Sequence, residues 1–241
     1  MRVPKGHWLY TTPIAHRGLW GCSIVENSLS AYRNAVKHGY AIEIDVYTTS
    51  DGEVVSFHDV TLDRMTGADG LVFEKTLAEL KELTLVGSNE KIPTLKEVLQ
   101  VVDGKVPLLI EIKMQPNINV VDKTIEILKE YKGEFAIQSF HPGYLIRVKK
   151  LAPEFLRGVL SAKKVWHKNV FKRFLVREMI FNPVIKPDFI SYDYNGLPLS
   201  KRKRKNLPLL VFTVTDENVA EIVKSYADNI IFEHIRPEIN A

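Results

Sequence analysis

Short runs rich in β-branched and aromatic residues recur at 13–16, 40–46, 54–58, 106–113, 135–140, 155–160, 189–192, 209–214 and 229–232. Between most of them apolar positions repeat at helical spacing, over 28–38, 76–83, 94–102, 120–131, 143–151 and 217–225. Residues 162–181 also read as helical, although their apolar positions form no clean stripe. Asn27 stands as the N-cap of the first helix and Gly39 as its C-terminal stop. Strands alternating with helices predict a parallel sheet. There is no fixed-period repeat, low-complexity tract or linker, so one domain over 1–241 is expected.

Nine β runs are one too many for an eight-stranded barrel. Asp51-Gly52 resolves the count, because Asp-Gly is a strong hairpin signal. With a two-residue loop there, Ser50 pairs with Glu53 and Asp45 stands opposite His58. The third run is then the returning arm of a hairpin. Eight strands remain for an α/β fold of (β/α)8 barrel type. A doubly wound sheet is disfavoured, since no Gly-rich phosphate fingerprint follows the first strand.

Composition changes this picture little. The chain has 241 residues, 45% hydrophobic and 26% charged, which excludes a disordered chain or a fibre. No apolar run reaches membrane-spanning length, and the N-terminus has no apolar signal core. Cys22 is the single cysteine, so neither an intrachain disulfide nor a thiolate metal cage can form. A cytoplasmic location is the expectation. Charge is more informative than composition. The net charge is +4, yet residues 157–205 hold 13 Lys/Arg against three acids. A solvated surface is the ordinary reading of Lys201-Arg202-Lys203-Arg204-Lys205. Nucleic acid is not expected as a partner, because no aromatics interleave with that run.

The candidate chemistry sits at strand ends. In Glu43-Ile44-Asp45 the two acids share one strand face and repel unless a cation or proton lies between them. The run 108–113 is an apolar strand ending in Glu111 and Lys113, also on one face. Three carboxylates from two strands suit a hard divalent cation such as Mg²⁺ or Ca²⁺. A plain salt bridge to Lys113 is the competing reading. His16 ends the first strand and His58 ends the hairpin arm, so barrel closure should bring both to the acids. Histidine is the usual general acid or base. Arg17 offers a fork suited to phosphate. A metal, two histidines, an arginine and a lysine add up to phosphoryl chemistry.

These residues resemble the motif series of the glycerophosphodiester phosphodiesterases. The chain shows, in order, His16-Arg17-Gly18, Glu26-Asn27-Ser28, Glu43-Ile44-Asp45, Thr49-Ser50-Asp51-Gly52, His58-Asp59, Leu62-Asp63-Arg64-Met65-Thr66, Gly70, Ile92-Pro93-Thr94-Leu95, Glu111-Ile112-Lys113 and Ser139-Phe140. The resemblance implies a TIM barrel with a small insertion at about 59–92. It implies Glu43, Asp45 and Glu111 as ligands of one divalent ion, Mg²⁺ or Ca²⁺, with Mn²⁺ a further option. It implies His16 and His58 as the acid/base pair, and Arg17 and Lys113 as phosphate contacts. The reaction it implies is hydrolysis of a glycerophosphodiester to glycerol 3-phosphate and an alcohol.

The C-terminal half departs from that pattern. Phe212-Thr213-Val214-Thr215 stands where the family often has Trp-Thr-Val-Asn, and Ile231-Phe232-Glu233 where it often has Ile-Thr-Asp. Phe is the weaker cation–π partner, which puts headgroup preference in doubt. Trp20 and Trp166 are alternative aromatic contacts, with packing the more common role for either. Two other readings stay open. One is a lysophospholipase D or sphingomyelinase D type enzyme acting on lipid diesters and touching a membrane peripherally, motivated by Trp166, Phe171 and Phe174 among the lysines. The other is a non-catalytic phosphate-binding barrel, which would not need both His16 and His58.

Overall fold

The structure is a computed structural model and describes residues 3–164 and 170–239. In chain order its elements are α1 (Trp8–Thr11), β1 (Ile14–Ala15), α2 (Leu29–Lys37), β2 (Ala41–Thr48), β3 (Val54–Ser56), α3 (Asp63–Thr66), α4 (Leu77–Glu82), α5 (Leu95–Val102), β4 (Leu108–Ile112), α6 (Asn119–Glu130), β5 (Phe135–Ser139), α7 (Pro142–Leu151), β6 (Arg157–Ser161), α8 (Val170–Arg177), α9 (Asn182–Ile185), β7 (Phe189–Asp193), α10 (Lys201–Arg204), β8 (Leu209–Val214), α11 (Glu217–Val223) and β9 (Asn229–Phe232). The strand order is β1-β9-β8-β7-β6-β5-β4-β2-β3, and β1 also pairs with β2, so the series closes on itself. β2 runs parallel to β4, and β5 to β9 run parallel in succession. This is the expected (β/α)8 barrel, with β3 an extra antiparallel arm on β2. Among the described residues no helix is long and apolar enough to cross a membrane.

The arm is shifted by one residue from the sequence expectation. Val46 pairs with Ser56 and Thr48 with Val54, which sets Phe57, not His58, opposite Asp45. The Phe57 N–H donates to the Asp45 carbonyl at 3.2 Å. The cause is the turn. Residues 50–52 form a three-residue loop closed by Thr49 N–H to Glu53 O at 2.9 Å, with Gly52 at φ 90°. A three-residue loop with glycine in the positive-φ position is the next commonest hairpin connection after the two-residue one.

The contacts group the chain into two compact units. The first, 15–135, carries β2, β3 and β4 and the helices from α2 to α6. β2 is buried along its whole length, so both of its faces are packed. Three of its helices, α2, α4 and α5, start on side-chain caps. Ser28 Oγ accepts the Ala31 N–H at the start of α2, and Thr94 and Glu97 form a capping box at the start of α5. Ser28, not Asn27, is thus the cap, and Asn27 turns to another task. Between β3 and α5 the chain makes a small cluster of its own, in which Leu62, Val72, Leu80 and Ile92 pack on Tyr47, Val55 and Phe57.

The second unit is 1–14 with 136–241. Its buried Arg157 donates to the carbonyls of Ile185, Pro153 and Phe155, while its own N–H donates to Asp188. Gln138 accepts a hydrogen bond from Ser191 at 2.7 Å in the interior. The helix expected over 162–181 is the shorter α8, and Met179 at φ 52° ends the turn beyond it. Trp166 lies outside the described residues.

Candidate active site

The site is built from the ends of β1, β2, β3 and β4, all within residues 15–135. After β1 the chain turns sharply, with Arg17 at φ 59° and Gly18 at φ 81°. A Cβ on Gly18 would stand 2.8 Å from Ala31 Cβ, so glycine alone lets this turn lie against α2. The turn is tied at three points. The Arg17 N–H donates to Glu43 Oε2 at 3.1 Å, the Asn27 N–H donates to Arg17 O at 2.9 Å, and the Trp20 indole donates to His16 O at 3.0 Å. Trp20 therefore braces the histidine turn. His16 Nε2 stands 3.8 Å from Glu43 Oε2.

Strand alternation puts Glu43 and Asp45 on one face of β2, and the parallel register sets Asp45 beside Glu111 of β4. One oxygen from each of the three acids lies within 4.8 Å of the others. Burial, then the neighbouring Asp45 and Glu111, push the Glu43 carboxyl well above the ordinary carboxylate range. Burial also opposes ionisation of Asp45, but Lys113, His58, Arg17 and His16 outweigh it and hold that group well below its ordinary value. Lys113 lies 3.2 Å from Asp45 Oδ1 and 3.0 Å from Glu111 Oε1. Burial works against its charge, and those two acids more than compensate.

Buried Glu43 Oε1 has no hydrogen bond, and buried Asp45 Oδ1 has only its 3.2 Å ion-pair contact with Lys113 Nζ. Such atoms are costly unless something positive completes them. Three acids that share a single lysine, with Glu43 Oε1 left uncompleted, are a donor set that fits a hard divalent cation.

The chain leaves β3 after Ser56, and the charge of His58 is felt at Asp45. Its ring feels the charges of Asp45, Lys113 and Arg17, and burial comes first among the effects that lower its affinity for a proton. Nδ1 of His58 donates to Asp59 Oδ1 at 2.6 Å, which fixes the ring and directs Nε2 away from Asp59.

Sequence reasoning missed the shell behind these groups. Asn27, read as a helix cap, donates instead from Nδ2 to Asp45 Oδ2 at 3.1 Å. Its Oδ1 accepts from Tyr32 at 2.8 Å and from Ser56 at 3.2 Å. Arg64, from the segment after β3, donates to Asp59 Oδ2 at 2.5 Å and to Glu26 Oε1 at 2.7 Å. The same Glu26 oxygen accepts from Arg17 Nη1 at 2.8 Å. Arg64 so links the partner of His58 to the partner of Arg17. Burial raises the proton affinity of Asp59, but Arg64 and His58 bring its pKa down to about 2. The quoted motifs contain Glu26, Asn27, Asp59 and Arg64, yet spacing alone assigns them no partners.

The family model described as "Glycerophosphoryl diester phosphodiesterase family" matches residues 16–236. A glycerophosphodiester phosphodiesterase of Caldanaerobacter subterraneus subsp. tengcongensis is 32% identical over 248 residues, covering 95% of this chain and 97% of that protein. A lysophospholipase D of Rattus norvegicus is 33% identical over 134 residues, covering 50% of this chain and 42% of that one. Among solved structures, an Oleispira antarctica phosphodiesterase in complex with the product sn-glycerol-3-phosphate superposes with a TM-score of 0.76 at 27% identity, covering 92% of each chain.

Proposed function

The chain belongs to the glycerophosphoryl diester phosphodiesterase family, and from that premise we propose that it hydrolyses glycerophosphodiesters to glycerol 3-phosphate and an alcohol at the His16–Lys113 cluster. The observation that carries this reading is the meeting of Glu43, Asp45 and Glu111 within 4.8 Å, with His16 and Arg17 on the same acids.

In this reading Glu43, Asp45 and Glu111 hold one divalent cation, Mg²⁺, Ca²⁺ or Mn²⁺. When bound it supplies Lewis-acid polarisation of the phosphoryl group. Arg17 and Lys113 grip the phosphate oxygens, Arg17 with its fork and Lys113 as a point charge. His16 and His58 divide the proton work. One imidazole takes the proton from the attacking oxygen, and the other gives a proton to the departing alcohol. Asp59 keeps the His58 ring turned so that Nε2 does this work, and Arg64 keeps Asp59 in place. Trp20 is the aromatic candidate for headgroup preference within residues 15–135. A lipid-sized diester is the second reading, favoured by the similarity to a lysophospholipase D.

A panel of glycerophosphodiesters and lysophosphatidylcholine, with coupled detection of glycerol 3-phosphate and of free choline, tests both readings in Mg²⁺, Mn²⁺ and Ca²⁺ in turn. Release of glycerol 3-phosphate from small diesters is expected. Faster turnover of the lysolipid would favour the second reading. Binding of diesters without product in any ion would sink the hydrolase and leave a phosphate-binding barrel.

A further inference from the structure

Among the described residues the most exposed large apolar side chains are Val170 and Phe171 of α8, at 67% and 68%. Phe174 follows one helical turn later, and Ile180 and Val184 are exposed just beyond the helix. The same stretch, 157–205, carries 13 basic residues against three acids. Space joins what sequence separates. A groove of about 450 Å³ is lined by Phe174, Ile180 and Pro183 together with Arg202, Lys203 and Lys205. Its acid, Glu178, is already met by Arg177 Nε at 3.0 Å and Lys203 Nζ at 2.9 Å, so the excess charge of the face is positive.

Scattered apolar residues on a surface need no explanation, but a contiguous set rimmed by cations does. Aliphatic and aromatic side chains beside lysines and arginines match the acyl boundary and phosphate layer of an anionic bilayer. Nucleic acid would satisfy the cations and leave Val170, Ile180 and Val184 without a role. We propose that the face formed by α8 and residues 180–184 and 201–205 docks on an anionic phospholipid bilayer. Phe171 and Phe174 enter the interface, and Arg202 and Lys205 meet lipid phosphates. None of these residues belongs to the catalytic cluster, so docking is measurable apart from turnover and stands or falls separately from the hydrolase reading.

The test is co-sedimentation of the full chain with phosphatidylcholine vesicles, with and without phosphatidylglycerol. Partition onto the anionic vesicles is expected to be about ten-fold stronger or more, and to fade at high salt. The double variant Phe171→Ser/Phe174→Ser and the double variant Arg202→Glu/Lys205→Glu should each lower that partition about ten-fold or more. Both should melt like the parent and keep its rate on soluble glycerophosphocholine. Equal partition onto neutral and anionic vesicles would overturn the proposal, as would partition that neither variant changes. Retention of duplex DNA through the same cations, without vesicle binding, would also overturn it and assign the face to nucleic acid.

Discussion

His16 stands beside Glu43 and His58 is held by Asp59, and their loss should be felt in the rate rather than in the fold. Replacing either with Ala should lower kcat on the order of 10²–10⁴-fold, the usual size of an acid or base contribution, with circular dichroism unchanged. Near-parental rates in both variants would remove the imidazoles from the chemistry. Arg64 acts one step back. It holds Asp59 and Glu26 with four donated hydrogen bonds from a position 38 residues beyond Glu26. Arg64→Ala should cost about 10–100-fold in kcat, the range seen when outer partners of site groups are removed, with a smaller change in KM and partial rescue by Arg64→Lys. A kcat unmoved by Arg64→Ala would show that Asp59 holds His58 unaided. His16 and the three acids are legible in the sequence because strand alternation and a shared strand end suffice to group them, whereas His58 is grouped with them by a register that the structure shifts by one residue. Asn27 and Arg64 are not legible, because their partners are set by how loops cross in space. A cap rule even assigns Asn27 the wrong partner, since Ser28 next to it is an equally good cap.

The elements themselves follow from short-range rules. The capping box at Thr94 and Glu97 marks the start of α5, and the same arrangement at Thr76 and Glu79 marks α4. Thr94→Ala should destabilise the protein by about 1 kcal/mol in thermal or urea unfolding, the typical loss of a helix cap. No shift in the midpoint would mean that tertiary packing alone holds α5. Every β run read from the chain became a strand within a few residues of its expected ends. What failed was register. Asp51-Gly52 fits a two-residue loop as well as a three-residue one, and the loop that forms is the three-residue one over 50–52. With Phe57 packed on Tyr47 and Val55, the arm settles one residue away from the pairing that the turn dipeptide suggests. The helix around 162–181 lacked a stripe to define it. Its exposed Phe171 and Phe174 are on α8, where they interrupt the usual inward placement of apolar side chains.

At the scale of the molecule, the site and the stability of the chain are linked through charge. EDTA should abolish activity and added divalent ion should restore it, while Glu43→Gln should raise the ion concentration needed for half-maximal rate; an EDTA-resistant enzyme would sink the metal assignment. Asp59 has a pKa of about 2 in the folded chain, below the ordinary carboxylate value of about 3.9. The folded state therefore favours its ionised form, and that contribution is complete above about pH 4 and lost as pH falls through about 2. Asp59→Asn should flatten the fall in urea midpoint across that window; an unaltered slope would mean that Asp59 ionises alike in both states. One last consequence comes from the lone thiol. Cys22 is exposed on the turn where Gly21 and Ile24 exchange backbone hydrogen bonds. A maleimide dye has a single address on this chain, two residues from the indole that braces His16. A change in its emission on adding ions or diesters would report binding through the Trp20 brace with no product to detect, and an unchanged emission would show that the brace stays still.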